Sequence, residues 1–198
     1  MRLQEETTLG KIMRNIYLFI FMLVAFSFSV MPARADMVDL DGHAFAESIQ
    51  LEYCSDEILG VRFLCNSNWE VRAEAGTIMI IISADPAVTM TVAKSYTPIA
   101  TLSQLDEETL TELGQYAEGF SVERVTLAGR EALKVKAFPI DYPQARLVDY
   151  YLLNDLDFYS LLFSIDPKEE WDKYKFLIQK IADSFYFIEK PLVPLIKE

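Results

Sequence analysis

The chain has a single histidine, His43, beside Gly42 in a polar stretch. A Ser-His-Asp relay or a histidine-based metal site would have to be built on that one imidazole. In such surroundings it reads more simply as a solvated side chain. Just upstream, Asp39-Leu40-Asp41-Gly42 has the alternating carboxylates of a calcium loop. The first ligand position of such a loop, however, falls on Met37 and the twelfth on Ser48, where a bidentate glutamate is required. The motif fails. Asp155 and Asp157 lie close enough to share a cation, yet aspartates in a turn ordinarily accept from backbone N–H groups. There is no G-x-S-x-G, no phosphate-binding glycine loop and no H-E-x-x-H. The carboxylates are scattered, and none stands out as an acid–base pair. The sequence therefore predicts no catalytic residue, no metal ligand set and no cofactor, and the protein reads as a non-enzyme. A hydrolase would need a carboxylate buried beside a serine in a cleft.

Two other groups of residues have chemical potential. Cys54 and Cys65 are the only cysteines. In an oxidising compartment such a pair forms a disulfide, here closing the loop from Ser55 to Leu64; two buried free thiols are the alternative. The C-x-x-C spacing of a redox-active pair is absent. Trp69, Tyr150, Tyr151, Phe158, Tyr159 and Trp171 either line a cleft for a small molecule or lipid, or simply pack between sheet and helix.

The compartment follows from the start of the chain. An apolar run from Ile16 to Met31, broken only by Ser27 and Ser29, spans 16 residues, short of the roughly 20 needed to cross a bilayer as a helix. Arg2, Lys11 and Arg14 precede it, and Pro32 then Ala33-Arg34-Ala35 follow. A basic start, a short apolar core and an A-x-A exit predict a secretory signal over 1–35, cut before Asp36. Met13 is an alternative start. The competing reading is an uncleaved anchor, the only route by which this chain would engage a membrane. Cleavage removes four of the 18 basic and two of the 30 acidic residues, so the net charge moves from −12 to −14. That charge repels nucleic-acid phosphates and anionic lipid, and no basic cluster overrides it. Nucleic acid is excluded as a partner; cationic surfaces are not.

The elements that must position these residues are punctuated by turns. Residues 36–57 are weakly patterned and read as an arm with a helical turn. Leu59–Cys65 and Trp69–Ala73 are strand-like, separated by Asn66-Ser67-Asn68. Thr77–Ser83 has five successive apolar side chains from Ile78 to Ile82, which predicts cover on both faces. Val88–Lys94 alternates and predicts a half-exposed strand. Phe120–Leu127 and Glu131–Phe138 flank Ala128-Gly129-Arg130, while Arg146–Leu153 and Phe158–Ile165 flank residues 154–157, giving two hairpins. Leu102, Leu105, Leu110, Leu113, Tyr116 and Ala117 recur at helical spacing, with Ser103 and Asp106 as a capping box and Gly119 as the stop. Asp166, Pro167 and Glu169 open a second helix, with Trp171, Tyr174, Leu177, Ile178, Ile181 and Phe185 on one stripe and a Glu169–Lys173 pair on its wet face. The predicted fold is α+β: a central antiparallel β-sheet of about six to eight strands between helices, an α/β/α sandwich. It occupies 58–190, and 191–198 is a C-terminal tail.

The order of these pieces resembles the PsbP-like superfamily, which includes the extrinsic PsbP proteins of photosystem II, a Ran-binding nuclear-transport factor and many secreted bacterial proteins. The resemblance covers roughly Leu59 to Ile188. It rests on Gly60-Val61-Arg62-Phe63 running through a turn to Trp69, which resembles that family's opening hairpin, on the Gly129 hairpin, and on the final helix ending in Asp183-Ser184-Phe185-Tyr186-Phe187. The proline that the family tends to carry three residues before the tryptophan is Asn66 here. No segment matches the manganese-cluster or Ran-contacting surfaces of the named members. The resemblance implies a non-catalytic binding or accessory module. Together with the export signal it predicts a secreted or periplasmic protein that engages an unidentified protein partner, the alternative being a carrier with an aromatic-lined pocket.

Overall fold

Two tight hairpins form one half of a large sheet, from its centre to one edge. The computed structural model describes residues 41–74, 76–97, 101–155 and 157–188; the expected signal segment 1–35, its expected cleavage residues Ala33, Ala35 and Asp36, and the tail 191–198 lie outside them. Strands β6 (Ala117–Leu127) and β7 (Arg130–Pro139) pair through a turn in which Ala128 and Gly129 both have positive φ. That is the backbone a two-residue connection needs to match strand twist. Strands β8 (Arg146–Asn154) and β9 (Asp157–Asp166) form the second hairpin. With β3 (Glu70–Glu74), β4 (Thr77–Ala84) and β5 (Ala87–Tyr96) they make a seven-stranded antiparallel sheet in the order β3-β4-β5-β9-β8-β7-β6. Helices α2 (Leu102–Tyr116) and α3 (Trp171–Asp183) pack on it. The α+β class expected from the sequence is the one observed.

A second sheet was not expected. Strands β1 (Glu52–Asp56), β2 (Val61–Cys65) and β10 (Tyr186–Phe187) form a three-stranded sheet in the order β1-β2-β10. The segment read as an arm thus contributes a strand, and also a helix, α1 (Gly42–Ser48), capped by Asp41, whose carboxylate accepts from the Ala44 N–H at 2.9 Å. Helix α1 lies so close to α3 that a Cβ at Gly42 would collide with the Asp172 carbonyl oxygen. Only glycine fits that approach.

The opening hairpin expected between Leu59–Cys65 and Trp69–Ala73 does not form. Asn66 makes a turn, accepting from the N–H groups of Asn68 and Trp69, but the chain leaves it into a different sheet: β2 pairs with β1 and β10, and β3 with β4. Helix ends also differ. The Thr101 hydroxyl accepts from the Gln104 N–H at the start of α2, whereas Ser103 and Asp106 hold Arg124 of β6. Gly119, with φ +62, sits at an irregularity in β6 and not at a helix stop. Asp166 ends β9, and Lys168–Glu170 form a 3-10 turn before α3. On α3 the short ion pair joins Lys175 to Asp172 at 2.7 Å.

One core fills the space beneath α1, α3 and the small sheet. Val88, Met90 and Val92 of β5, Tyr150 of β8, Leu161 and Phe163 of β9, and Val61 and Phe63 of β2 meet Tyr174, Leu177, Ile178 and Ile181 of α3. Burial of each large side chain contributes about 1.5–3 kcal/mol. On the opposite face, Leu105 of α2 packs with Leu133, Val135, Tyr151 and Phe158. Strand β5, expected to be half-exposed, is buried from Val88 to Ala93, threonines included, because it lies between β4 and β9. On β4, Ile78, Met79 and Ile80 are buried on both parities, as the apolar run anticipated.

Candidate functional site

Cys54 and Cys65 form a disulfide, with Cα atoms 5.8 Å apart. Cys54 lies opposite Phe63 in the β1–β2 register, so the bridge is a diagonal link on the inner face of the small sheet. It fixes β1, an edge strand, to β2. On the core side Tyr159 donates to the Leu59 carbonyl at 3.0 Å and meets Phe187 edge to face, tying the two sheets together. Ser184 accepts from the Leu64 N–H at 2.7 Å and donates to the Ile181 carbonyl, tying β2 to the end of α3.

The outer face of the small sheet carries different chemistry. Ser55, Arg62 and Tyr186 stand directly opposite one another across the three strands. Alternation puts Tyr53 and Ser55 on one face of β1. The Arg62 guanidinium lies 4.6 Å from the centroid of the Tyr53 ring and 5.7 Å from that of Tyr186. Those two rings are 6.0 Å apart in an edge arrangement. Tyr53 is 52 % exposed, and Arg62 is exposed and pairs with no carboxylate among the described residues. Beside them opens a cavity of about 550 Å³ lined by Ser55, Glu57, Arg62, Tyr186, Phe187 and Ile188. Arg130, at the start of β7, places a second guanidinium 5.5 Å from the Phe187 ring. A guanidinium flanked by aromatic rings keeps its N–H edge free for an in-plane acceptor.

The large sheet holds the opposite arrangement. Asp149, in the middle of β8, is 6 % exposed, and Ser160 of β9 is 1 % exposed. The Ser160 hydroxyl reaches both carboxylate oxygens, at 2.9 and 3.0 Å, and Tyr151, opposite Ser160, adds a side-chain hydrogen bond. Burial pushes the Asp149 carboxyl up to about 7, against the downward pull of those hydrogen bonds and of one from the Tyr150 backbone. This is a buried carboxylate beside a serine, the feature a hydrolase would require. It is no activated nucleophile, however. Both side chains are enclosed in the sheet where no substrate reaches the hydroxyl, neither lines the groove, and His43 stacks on Phe176 in the α1–α3 layer at 3.4 Å between ring centroids.

The remaining candidates resolve simply. Asp41 caps α1, and Asp157 pairs with Lys94 at 2.8 Å. Among the described residues no three potential metal ligands gather, and no helix is long and apolar enough to cross a membrane. Of the rings expected to line a pocket, Tyr150, Tyr151, Phe158 and Tyr159 are buried in the two cores, and Trp69 and Trp171 pack against one of them. Sequence reasoning did not single out Tyr53, Arg62, Tyr186, Asp149 or Ser160. A signal existed for two of them: Arg62 is the only charge in Val61–Cys65, and Asp149 the only charge in Leu147–Leu153.

No family profile and no curated protein matches the chain. Solved structures with a similar fold include the cyanobacterial PsbP of Synechocystis, 16 % identical over 79 % of this chain and 98 % of that one, with a TM-score of 0.49. The Ran-binding protein Mog1p of Saccharomyces cerevisiae is 10 % identical over 72 % of this chain and 97 % of its own, also at 0.49. LpqN of Mycobacterium tuberculosis, a protein involved in cell envelope biogenesis, is 13 % identical over 69 % and 90 %, at 0.47. These are likenesses of fold at low identity, and no activity or partner is carried across them.

Proposed function

We propose that the protein is an exported, non-enzymatic accessory module that docks onto a protein partner at the cell envelope through the outer face of its small sheet. The observation that carries this reading is Arg62, held between Tyr53 and Tyr186 beside an open groove and without a carboxylate partner among the described residues. Tyrosine and arginine dominate interface hot spots because they combine large contact area with directed hydrogen bonding. A short edge strand stapled by a disulfide supplies a preorganised platform, so little ordering cost remains for the moment of binding. The disulfide and the signal-like start support an oxidising compartment outside the cytosol.

The test is photo-cross-linking in the cell envelope with a benzophenone amino acid in place of Tyr53, and separately in place of Val71, which is 58 % exposed on β3, an edge strand of the large sheet. A discrete adduct from position 53 and none from position 71 is the expected result. Equal adducts from both positions, or none from 53, would overturn the assignment.

A further inference from the structure

The net charge of −12 draws basic surfaces toward this protein, but the groove itself has the reverse polarity. Arg62 stands at the centre of the row Ser55–Arg62–Tyr186, and two rings orient its guanidinium, with no acid paired to it among the described residues. Arg130 stacks on the Phe187 ring from the core side and is not among the residues that line the groove, so Arg62 is the guanidinium that faces it. A planar fork of N–H donors without a carboxylate partner among the described residues is complementary to a planar anion, and a carboxylate fits it bidentately. The Ser55 hydroxyl, across the strand from Arg62, offers one more donor. Phe187 and Ile188 line the cavity with apolar surface, and about 550 Å³ holds more than a lone ion; such volumes fall within the roughly 300–1,000 Å³ of ligand clefts. Glu57 on the same lining and the overall negative field disfavour dianions and polyanions such as phosphate chains.

We infer that the segment received here is a stretch of protein carrying a carboxylate next to an apolar or aromatic side chain, with the carboxylate on Arg62 and its neighbour against Phe187 and Ile188. This inference rests on the small-sheet face being the docking surface. The recognised partner therefore combines a locally acidic motif with a surface that is not acidic as a whole, a combination that discriminates against most acidic proteins.

The test uses a random peptide display library selected at physiological salt on the disulfide-bonded protein and counter-selected on Arg62→Gln. Enriched peptides are expected to carry Asp or Glu beside a large apolar residue. Synthetic versions should lose about tenfold in affinity on Arg62→Gln and a similar factor when the peptide carboxylate becomes an amide. The two losses should be non-additive in a double-mutant cycle. Arg62→Lys, which keeps the charge but not the fork, should fall between. Enrichment of Lys- or Arg-rich peptides, acidic peptides that bind both baits equally, absence of enrichment over the Arg62→Gln bait, or self-association of the chain through this face would each overturn the inference. If position 53 cross-links a discrete partner while the selected peptides lack a carboxylate, the docking face stands and only its proposed chemistry falls.

Discussion

The seven-stranded and three-stranded sheets each place a charged side chain within an apolar run, Asp149 in Leu147–Leu153 and Arg62 in Val61–Cys65, and they handle it in opposite ways. Asp149 is inside the large sheet, with Ser160, Tyr151 and the Tyr150 backbone as its partners. Every hydrogen bond it needs is internal, so it has nothing left to offer a ligand. Arg62 is on the outside of the small sheet, supported by two rings that orient it without consuming its N–H donors. A charge whose valences are closed by its own fold is structural, and one whose support leaves them open is available for recognition.

The sharpest test of that contrast is pH. Because burial raises the folded-state pKa of Asp149 to about 7, from an ordinary value of 3.8, the native state binds the extra proton across that interval. Its contribution to stability is complete below pH 4 and is lost as pH rises to 7, in total roughly 4 kcal/mol. Asp149→Asn, which keeps the shape and a donor, should flatten that decline. Urea unfolding of both proteins across this range isolates the effect from the general repulsion of a net-acidic chain. Parallel curves would show that Asp149 is ionised and solvated, and the contrast would collapse.

The disulfide comes next. The paired change Cys54→Ser and Cys65→Ser should cost about 2–3 kcal/mol and should raise hydrogen exchange in β1 before β5 or β9, since the bridge holds only the edge of the small sheet. Uniformly faster exchange would mean that the two sheets behave as one cooperative unit. The smallest expected effect on folding is that of Arg62→Gln, below about 0.5 kcal/mol by denaturant titration, because the residue is exposed and lacks an ion pair among the described residues. A large loss there would make Arg62 a structural element after all.

Local chemistry made much of the fold legible. The hairpins at Gly129 and at residues 154–157 could be read from turn residues between apolar runs, and the α3 stripe from helical spacing. What failed was pairing. Glu52–Asp56 looked unpatterned because none of its residues is buried and acidic residues hold the inward positions 52 and 56, and Leu59–Cys65 was given to the wrong neighbour because a turn does not say which sheet the chain enters next. Strand β5 was misjudged as half-exposed because threonines read as polar wherever they stand, although position in the sheet decides whether they meet water.

By itself the sequence determined the antiparallel α+β class, the turn positions and the cysteine pair available for a bridge, because these depend on backbone preferences and periodicity over a few residues. Only the tertiary structure decided that Asp149 is enclosed and Arg62 open. Leu147–Leu153 and Val61–Cys65 carry the same pattern, one charge among apolar residues, and what covers each face is set by how the sheets pack: Asp149 is enclosed with Ser160 as its partner, whereas Arg62 is exposed between Ser55 and Tyr186.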